Sequence, residues 1–481
     1  MPENLNVLFL AAEADPFIKV GGLGDVAGAL PRSLHGLPPE VRGGTALDIR
    51  LVLPLHSAIK PEGLRPLMIF PLSYKGGDLQ VQVHETNLGG MTVYFIGGEP
   101  IATSGSVYSL DSALDAEKYT FFSLAALELT RHLDWKPNIV HANDWHTALA
   151  CYALLIKRWE REFPGVVSIL TIHNLPFMGP DLSALIEGYG LSIAQTGLPE
   201  WARARPLPLG LWAADALVAV SPTYAREMLT PEFGCGLDDY IHARKESLNG
   251  ILNGIDTESF NPALDPALAM NYGSVTLDKR PLNKTALQVR LGLPQDADVP
   301  LLGVVSRMDP QKGMDLIPKA LTRLKDSPWQ FVILGTGDPK LEESIRLLQT
   351  EFPERVCAVF RYDAGLARQI YAGADIFLMP SRYEPCGLSQ MIAMRYGCVP
   401  IVSAVGGLKD TIYDGETGFI IQKPTAVRLA TVIKKTLAIY SDHARWESIQ
   451  KAGMAQDFSW TNSAQQYFQL YQRVAAQLAA R

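Results

Sequence analysis

The sequence predicts two α/β domains, each a Rossmann-like doubly wound domain with a mainly parallel sheet, facing each other across a cleft. Three observations predict this fold. The chain has 481 residues, which exceeds the size at which one hydrophobic core keeps growing. Short apolar runs alternate with longer helical patterns over nearly the whole length, as βαβ units require. Both halves open with a strand that leads into a glycine-containing segment beside a lysine.

The individual elements follow from the same pattern. Predicted strands of the first half cover residues 7–12, 49–54, 93–96, 139–142, 167–172 and 216–220. Predicted helices there cover residues 27–34, 113–132 and 147–162. In the second half the strands cover residues 301–306, 329–334, 356–360, 376–380 and 400–403. The helices between them cover residues 315–324, 340–351, 364–372 and 388–396.

Turn residues mark a boundary between the two series. Asn-Gly, Asn-Pro and Asp-Pro pairs cluster within residues 252–300, as expected for a connection between domains. We therefore place the first domain at residues 1–252 and the second at residues 253–457. In the tail, residues 458–481, an amphipathic helix from residue 461 has Tyr467, Leu470, Tyr471 and Val474 on one stripe. We expect this helix to dock back on the first domain.

Composition excludes several classes of protein. The chain has 43 basic and 50 acidic residues, a net charge of −7, so nucleic acid and anionic membranes repel it on average. A hydrophobic fraction of 47% with 19% charged residues is typical of a packed enzyme. The partner we expect is a small ligand or a neutral polymer.

Cysteine usage and the first residues indicate the compartment. The five cysteines form no C-x-x-C pair, and their odd number prevents complete pairing within the chain. The start of the sequence lacks the basic residues and long apolar core of a secretion signal. A reducing, cytoplasmic location is therefore expected.

The first segment with chemical potential is KVGGLGDV, residues 19–26. Its glycines let backbone N–H groups approach an anion at a helix N-terminus, where the helix dipole favours negative charge. Lys19 adds a point charge. The alternative is a tight turn between strand and helix with a surface lysine. The spacing differs from G-x-G-x-x-G, which argues against a nicotinamide cofactor and so against a dehydrogenase.

Two further segments, HANDWH (residues 141–146) and TIHNL (residues 171–175), end buried strands of the first half. Sheets of this class place ligand-binding groups at such strand ends. Asp144 can accept hydrogen bonds from sugar hydroxyls, and capping of the next helix by Asn143 or Asp144 is the alternative. His173, taken alone, is more typical of a satisfied interior histidine. A metal site is disfavoured, because H-E-x-x-H and a further ligand cluster are missing from this region.

The second half contributes SRMDPQKG, residues 306–313, and SRYEPCGL, residues 381–388. Arg307 offers a bidentate fork and Lys312 a flexible ammonium group, so both can meet a diphosphate. Such cations stabilise the charge that develops when a sugar–phosphate bond breaks. Glu384 can hold ring hydroxyls, and helix capping by an acidic residue is the alternative.

With these segments in this order, the chain resembles the bacterial glycogen synthase and plant starch synthase family. The members are ADP-glucose-dependent retaining glucosyltransferases with two Rossmann-like domains, the GT-B type. The resemblance covers essentially the full length. It is carried by residues 19–26, 141–146, 221–224, 251–256, 306–313 and 384–388.

This resemblance implies that the chain transfers glucose from ADP-glucose to the non-reducing end of an α-1,4-glucan with retention of configuration. It implies an acceptor-side first domain, a nucleotide-sugar-binding second domain, and neither a metal nor another cofactor. The implied catalytic residues are His173, Asp144, Arg307, Lys312 and Glu384. The implied substrate-binding residues are Lys19, Gly21, Gly22, Asp25, Asn253, Tyr362, Cys386, Gly387 and Leu388. Tyr362 would lie against the adenine.

Some positions depart from the family pattern. Pro208 or Leu209 stands where a lysine is expected before a glycine, the linker of residues 36–50 is long and polar, and residues 97–115 diverge. Many related retaining transferases have a second glutamate eight positions after the first, where this chain has Ile392. Four alternative functions stay open. Two are related transferases, one with a small acceptor of the sucrose or maltose-phosphate type and one that uses UDP-glucose. The others are a dehydrogenase and a glucan-binding protein without activity.

Overall fold

The structure, a computed structural model, describes residues 4–159 and 162–479. Residues 160 and 161 of the predicted helix 147–162, residues 1–3 of the predicted first domain and residues 480 and 481 of the tail lie outside the described residues. The chain divides into two compact units, Met1–Gly254 together with Trp460–Arg481, and Ile255–Ser459.

The first unit is built on a sheet. Its strands are β1 Asn4–Leu10, β2 Ala46–Pro54, β3 Arg65–Tyr74, β4 Gly77–Leu88, β5 Met91–Gly97, β6 Ile139–Asn143, β7 Val167–Ile172, β8 Ala216–Ala219 and β9 Leu248–Gly250. Its first helices are α1 Gly22–His35, α2 Pro39–Arg42, α3 Glu99–Ser104, α4 Ser112–His132, α5 Asp144–Trp159, α6 Ser183–Gly188, α7 Pro206–Ala213, α8 Pro222–Glu227 and α9 Asp238–Ala243. Short 3₁₀ helices lie at Glu200–Ala202 and Lys245–Ser247.

Within the described residues, the strand order of this sheet is β3-β4-β5-β2-β1-β6-β7-β8-β9. The run from β5 to β9 is parallel. Strands β6, β7 and β8 are buried along their whole length. Burial on both faces is the reason why parallel strands appear in a sequence as continuous apolar runs.

The antiparallel hairpin of β3 and β4 at one edge of the sheet was not predicted. Its strands are half-exposed, and polar residues such as Gln80 and Gln82 alternate with Val81 and Val83. A search for apolar runs misses this period of two. Lys75 and Gly76 both have positive φ values, 51° and 76°, as the favoured two-residue hairpin turn requires.

The second unit contains one parallel sheet. Its strands are β10 Leu301–Val305, β11 Gln330–Leu334, β12 Val356–Val359, β13 Ile376–Met379, β14 Val399–Ser403 and β15 Phe419–Ile421. Its helices are α10 Pro281–Leu291, α11 Leu316–Thr322, α12 Pro339–Glu351, α13 Ala364–Gly373, α14 Ser389–Arg395, α15 Gly406–Thr411, α16 Ala426–Tyr440 and α17 His443–Met454. Short 3₁₀ helices lie at Ser274–Lys279 and Pro310–Lys312. The order is β12-β11-β10-β13-β14-β15, that of a Rossmann sheet.

The C-terminal helix α18, Trp460–Ala479, belongs to the core of the first unit. Tyr467 and Tyr471 are fully buried in the same apolar cluster as β1 and α1. The hydroxyl group of Tyr471 lies 2.7 Å from Nδ1 of His141 on β6. A polar contact inside an apolar interface therefore fixes the position of the helix.

A search of the described residues finds no helix with both the length and the apolar character that a bilayer crossing needs.

Candidate functional site

In each sheet the strand order reverses at one point, and the candidate residues follow the strands that flank it. The reversal lies between β1 and β6 in the first unit and between β10 and β13 in the second. Loops that leave the carboxyl ends of two such strands turn away from each other and leave a crevice, the usual ligand position in open α/β sheets. Residues 19–26 and Asp144 follow β1 and β6, and Arg307, Lys312 and Glu384 follow β10 and β13.

The glycine segment after β1 differs from the prediction in one respect. Helix α1 begins at Gly22, whereas the sequence predicts a start at residue 27. Gly22 and Asp25 therefore form the first turn of the helix and do not belong to a loop before it. The prediction was wrong because glycine is a poor helix former, whereas here the start is fixed by contacts from another segment.

Those contacts come from Glu13, which the sequence analysis did not single out. Its carboxylate accepts hydrogen bonds from the amide of Gly21, at 3.2 Å to Oε1 and 3.0 Å to Oε2, and from the amide of Val20. Glu13 is only 1% exposed. The Gly21 amide that was expected to face a donor phosphate is thus already bound to a carboxylate. The available signal was one acidic residue directly after a buried apolar strand.

Lys19 lies beside this carboxylate and pairs with Asp25. Nζ of Lys19 is 2.5 Å from Oδ1 of Asp25, and their side chains are 39% and 33% exposed. A Cβ atom added to Gly24 would lie 3.0 Å from Oε2 of Glu13 and 3.1 Å from Cγ of Lys19. A side chain at the third glycine of the segment would therefore be tightly packed against Glu13 and Lys19.

Asp144 holds the loop after β7. Its Oδ1 atom accepts hydrogen bonds from the backbone amides of His173, at 2.7 Å, and Asn174, at 3.3 Å. Asp144 has a positive φ of 55°, a conformation that is uncommon outside glycine and often found at functional sites. Burial raises the pKa of its carboxyl group to about 7, although the two amide bonds act in the opposite direction.

The imidazole of His173 is held by Asn143, the last residue of β6. Nε2 of His173 lies 3.0 Å from Oδ1 of Asn143, whose Nδ2 donates to the carbonyl of Leu10 at 3.0 Å. This second bond fixes the amide orientation, so Nε2 is the protonated nitrogen and Nδ1 is an acceptor. Burial lowers the pKa of His173 to about 3. The ring is therefore neutral at physiological pH.

The other two histidines of these segments have structural surroundings. His141 is fully buried between the hydroxyls of Tyr471 and Thr171, both at 2.7 Å. His146 packs against Trp145 and Tyr119. Across residues 4–159 and 162–479, no group of three or more His, Cys, Asp or Glu side chains is arranged to hold a metal ion.

In the second unit, Lys312 and Glu384 bridge the two strands at the reversal. Nζ of Lys312 lies 2.8 Å from Oε1 and 2.7 Å from Oε2 of Glu384, and Ser381 donates to Oε2 at 3.0 Å. Glu384 is 6% exposed. Sequence reasoning assigned Lys312 to a phosphate and Glu384 to a sugar. The structure shows that the two also hold each other.

Arg307 extends from the same loop with a side chain that is 64% exposed, and its guanidinium is 3.8 Å from Asp309. The loop itself is closely packed. A Cβ atom at Gly335 would lie 1.7 Å from the carbonyl oxygen of Ser306, and one at Gly337 would lie 2.3 Å from that of Met308. Two glycines thus allow a neighbouring strand end to support the backbone that carries Arg307.

Comparisons with known proteins identify the family of the chain. Residues 6–243 match the family described as starch synthase catalytic domain, and residues 290–452 match glycosyl transferases group 1. The chain is 40% identical to the glycogen synthase of Streptococcus gordonii over 97% of this chain and 99% of that protein. It belongs to the glycogen synthase family. It is also 38% identical to the glycogen synthase of Clostridium beijerinckii, over 98% and 100% of the two chains.

One solved structure agrees with this family, and another shares the fold. The catalytic domain of starch synthase IV from Arabidopsis thaliana, bound to ADP and acarbose, matches with a TM-score of 0.88 and 31% identity. The match covers 98% of this chain and 100% of that one. A sucrose-phosphate synthase from Thermosynechococcus elongatus matches with a TM-score of 0.62 at 20% identity, which shows the fold alone. The chain is thus a glucosyltransferase of the GT-B fold.

The remaining candidate residues of this family member differ in their exposure to solvent. Tyr362, after β12, is 85% exposed, so its ring is open to stacking. Cys386 is 5% exposed. Gly387, at a φ of 73°, precedes Leu388 at the start of α14. Asn253 is 5% exposed, and its Oδ1 atom has no hydrogen-bond partner within the described part of the chain.

Gly406 and Gly407 support the segment that contains Glu384. A Cβ atom at Gly406 would lie 1.9 Å from the carbonyl oxygen of Glu384, and one at Gly407 would lie 2.2 Å from that of Cys386. Gln390, which sequence analysis missed, donates from Nε2 to the carbonyls of Cys386 and Gly387 at 3.2 and 2.9 Å. These contacts with its backbone hold the segment in place.

Two departures from the family pattern lie in the core. Pro208 and Leu209 are buried in α7, so neither supplies the cation that the family pattern has at this point. Ile392, in place of a second glutamate, is 7% exposed on α14. Both positions contribute packing in this chain.

Proposed function

We propose that this enzyme transfers the glucosyl unit of ADP-glucose to the 4-hydroxyl group at the non-reducing end of an α-1,4-glucan, with retention of configuration. The observation that carries this proposal is similarity to glycogen synthases along 97% of the chain. The ADP bound by the starch synthase relative supports an adenine nucleotide as the leaving group.

In the proposed reaction, Arg307 and Lys312 bind the diphosphate. Two of the three N–H donors of Lys312 are used by the carboxylate of Glu384, which leaves one donor for a phosphate oxygen. Arg307 has an exposed side chain, and its guanidinium group can donate two parallel hydrogen bonds to two oxygens of the diphosphate. Because both cations are positioned before the reaction, they stabilise the charge that grows on the leaving diphosphate.

Asp144 and His173 would contact the transferred glucose. The neutral imidazole of His173 places no positive charge beside the anomeric carbon, where an oxocarbenium-like transition state itself becomes positive. The carboxylate of Asp144 can accept a hydrogen bond from a sugar hydroxyl while it holds the backbone of His173. We propose the roles of the other site residues from the family resemblance: these are Glu384, Lys19, Asp25 and the remaining substrate-binding residues.

The bond changes balance without a further reactant. The bond between the anomeric carbon and the diphosphate oxygen breaks, and its electron pair goes to ADP. The acceptor hydroxyl bonds to the anomeric carbon from the same face, and its proton goes to the departing phosphate oxygen. The products are ADP and a glucan longer by one unit.

We also propose that the enzyme acts in the cytoplasm. Its cysteines are free thiols, which supports a reducing compartment. The proposed acceptor, a neutral glucan, agrees with a chain whose net charge of −7 gives it no general attraction to polyanions.

The test is an assay of ADP release from ADP-glucose with glycogen as acceptor, together with NMR of the anomeric proton of the new linkage. We expect ADP release that depends on glycogen and an α-configured product. The Lys312→Ala variant, prepared identically, controls for contaminating activity. Turnover with UDP-glucose only, or with a small acceptor but not glycogen, would assign the enzyme to another member of the same fold.

A further inference from the structure

The proposed reaction makes no use of the carboxylate of Glu13, which binds the donor-binding segment, residues 19–26, from outside it. It accepts hydrogen bonds from the amides of Val20 and Gly21, and Oε1 accepts another from the hydroxyl of Tyr108 at 2.8 Å. Among the residues that the structure describes, no ion pair involves Glu13. Its charge is therefore balanced by N–H and O–H donors, which are directional.

The buried side chain of Lys118 holds the backbone that precedes Tyr108. Nζ of the buried Lys118 donates to the carbonyls of Ser106 and Val107, at 2.9 and 2.7 Å, and pairs with Asp115 at 2.7 Å. These contacts fix the backbone on the N-terminal side of Tyr108. Movement of that backbone would cost free energy, because it would leave the buried ammonium group of Lys118 without some of its hydrogen-bond acceptors.

Glu13 also holds the backbone that directly follows Lys19. Its Oε2 atom and Cγ of Lys19 would lie 3.0 and 3.1 Å from a Cβ atom at Gly24, so both side chains approach the same small space. Loss of the carboxylate would release the amides of Val20 and Gly21, which directly follow Lys19 in the chain. The ammonium group of Lys19 would keep its ion pair with Asp25, but the backbone that directly follows Lys19 would have lost the hydrogen bonds that hold it in place.

We infer that Glu13 is a positioning residue for the donor-binding segment and that the Tyr108 hydroxyl fixes Glu13. This inference rests on the proposed function, in which Lys19 contacts the sugar nucleotide. It connects residues 19–26 with residues 97–115 through the hydrogen bond from Tyr108 to Glu13. Through this contact, Tyr108 would contribute to donor affinity.

The experiment compares Glu13→Ala, Glu13→Gln and Tyr108→Phe with the wild type. We expect Tyr108→Phe to raise the KM for ADP-glucose about tenfold and Glu13→Ala about a hundredfold, the effects of losing one and several charge-assisted hydrogen bonds. Glu13→Gln should fall between the wild type and Glu13→Ala, because its amide oxygen still accepts from backbone N–H groups. The KM for glycogen should change less than about twofold, since the assigned role concerns donor binding alone.

Two further measurements separate positioning from a general loss of structure. Tyr272→Phe is the matched control, because it removes a buried tyrosine hydroxyl that donates to a carbonyl at 2.8 Å in the second unit. Calorimetry with ADP measures nucleotide affinity without turnover, and circular dichroism reports folding. If Glu13→Ala fails to fold, Tyr108→Phe and Glu13→Gln still decide the question.

The outcomes are distinct. Donor KM and ADP affinity that match the Tyr272→Phe control would overturn the positioning role, as would a fall in kcat alone that follows the folded fraction. A wild-type enzyme that binds ADP but transfers no glucose would overturn the proposed function, and ADP affinities of the variants would then decide the inference by themselves. A wild-type enzyme that binds no ADP would overturn both.

Discussion

Replacement of Asp144 with asparagine should separate the catalytic role of this residue from its effect on stability. Oδ1 of Asp144 accepts from the amides of His173 and Asn174, and an asparagine oxygen can accept the same two bonds. Burial raises the pKa of the wild-type carboxyl group from 3.8 to about 7. About three pKa units correspond to roughly 4 kcal/mol in the free energy of unfolding once both states are ionised.

The sign follows from proton binding. Between pH 3.8 and about 7 the unfolded chain has lost the Asp144 proton while the folded chain retains it, so the stability contribution present at low pH is lost as the pH rises. From pH 5 to pH 8 the wild type should therefore lose roughly 3 kcal/mol relative to Asp144→Asn. For a unit of this size, this corresponds to a relative change in Tm of roughly 6–12 °C.

The assays are thermal unfolding of both proteins at pH 5, 6, 7 and 8, and steady-state kinetics. The kcat/KM of Asp144→Asn should fall by roughly 10–100-fold, the usual effect of losing a hydrogen bond to a charged group. Asp48→Asn, at a side chain that is 44% exposed in the same unit, controls for the loss of one negative charge. Parallel stability curves of Asp144→Asn and the wild type from pH 5 to pH 8 would refute the reasoning.

Two other substitutions test the second unit. Lys312→Ala should lower kcat more than it raises the donor KM, and a change confined to donor affinity would contradict the assignment. The same variant should destabilise the fold by about 3–5 kcal/mol because the buried Glu384 loses its partner. A double variant with Glu384→Gln should recover stability without activity. Gly313 and Gly292 have nearly equal φ values, 69° and 70°, but their surroundings differ. At Gly313 an added Cβ atom would lie 2.1 Å from the carbonyl oxygen of Pro380, whereas at Gly292 it would meet nothing within 4 Å. Alanine should therefore cost about 1 kcal/mol at position 292 and clearly more at position 313, and equal costs in denaturant titrations would speak against close packing of this loop.

Much of the fold could be predicted because its buried strands are continuous apolar runs. The strand β7, Val167–Ile172, has its predicted bounds, and the predicted strands of the second half differ from β10 to β14 by one residue at an end. The β3–β4 hairpin was missed because one face of each strand meets solvent. The short strand β15, Phe419–Ile421, has too few residues to form a recognisable run.

The candidate site could be predicted only in part. His173, Asp144, Lys312 and Glu384 each follow a predicted strand, so parallel topology is enough to predict that each pair lies at the carboxyl ends of the strands of its own sheet. Glu13 and Tyr108 were missed because their contact joins residues 95 positions apart. Nothing in the local sequence of either residue contains that information. The start of α1 at Gly22 was missed because glycine is a poor helix former, and because the hydrogen bonds from the Val20 and Gly21 amides to Glu13 form only in the folded chain.

The sequence by itself determined most of the buried strands and the helices between them, the glycines at the turns, and the residue types that phosphate and sugar chemistry needs. These properties depend on near neighbours in the chain, through side-chain periodicity and backbone sterics. Only the tertiary structure decided that Lys312 is held by Glu384, that Asp144 clamps the loop of His173, and that burial shifts the pKa values of Asp144 and His173. Burial and hydrogen-bond partners come from segments that are distant in sequence, so these electrostatic properties arise only after the segments have packed together.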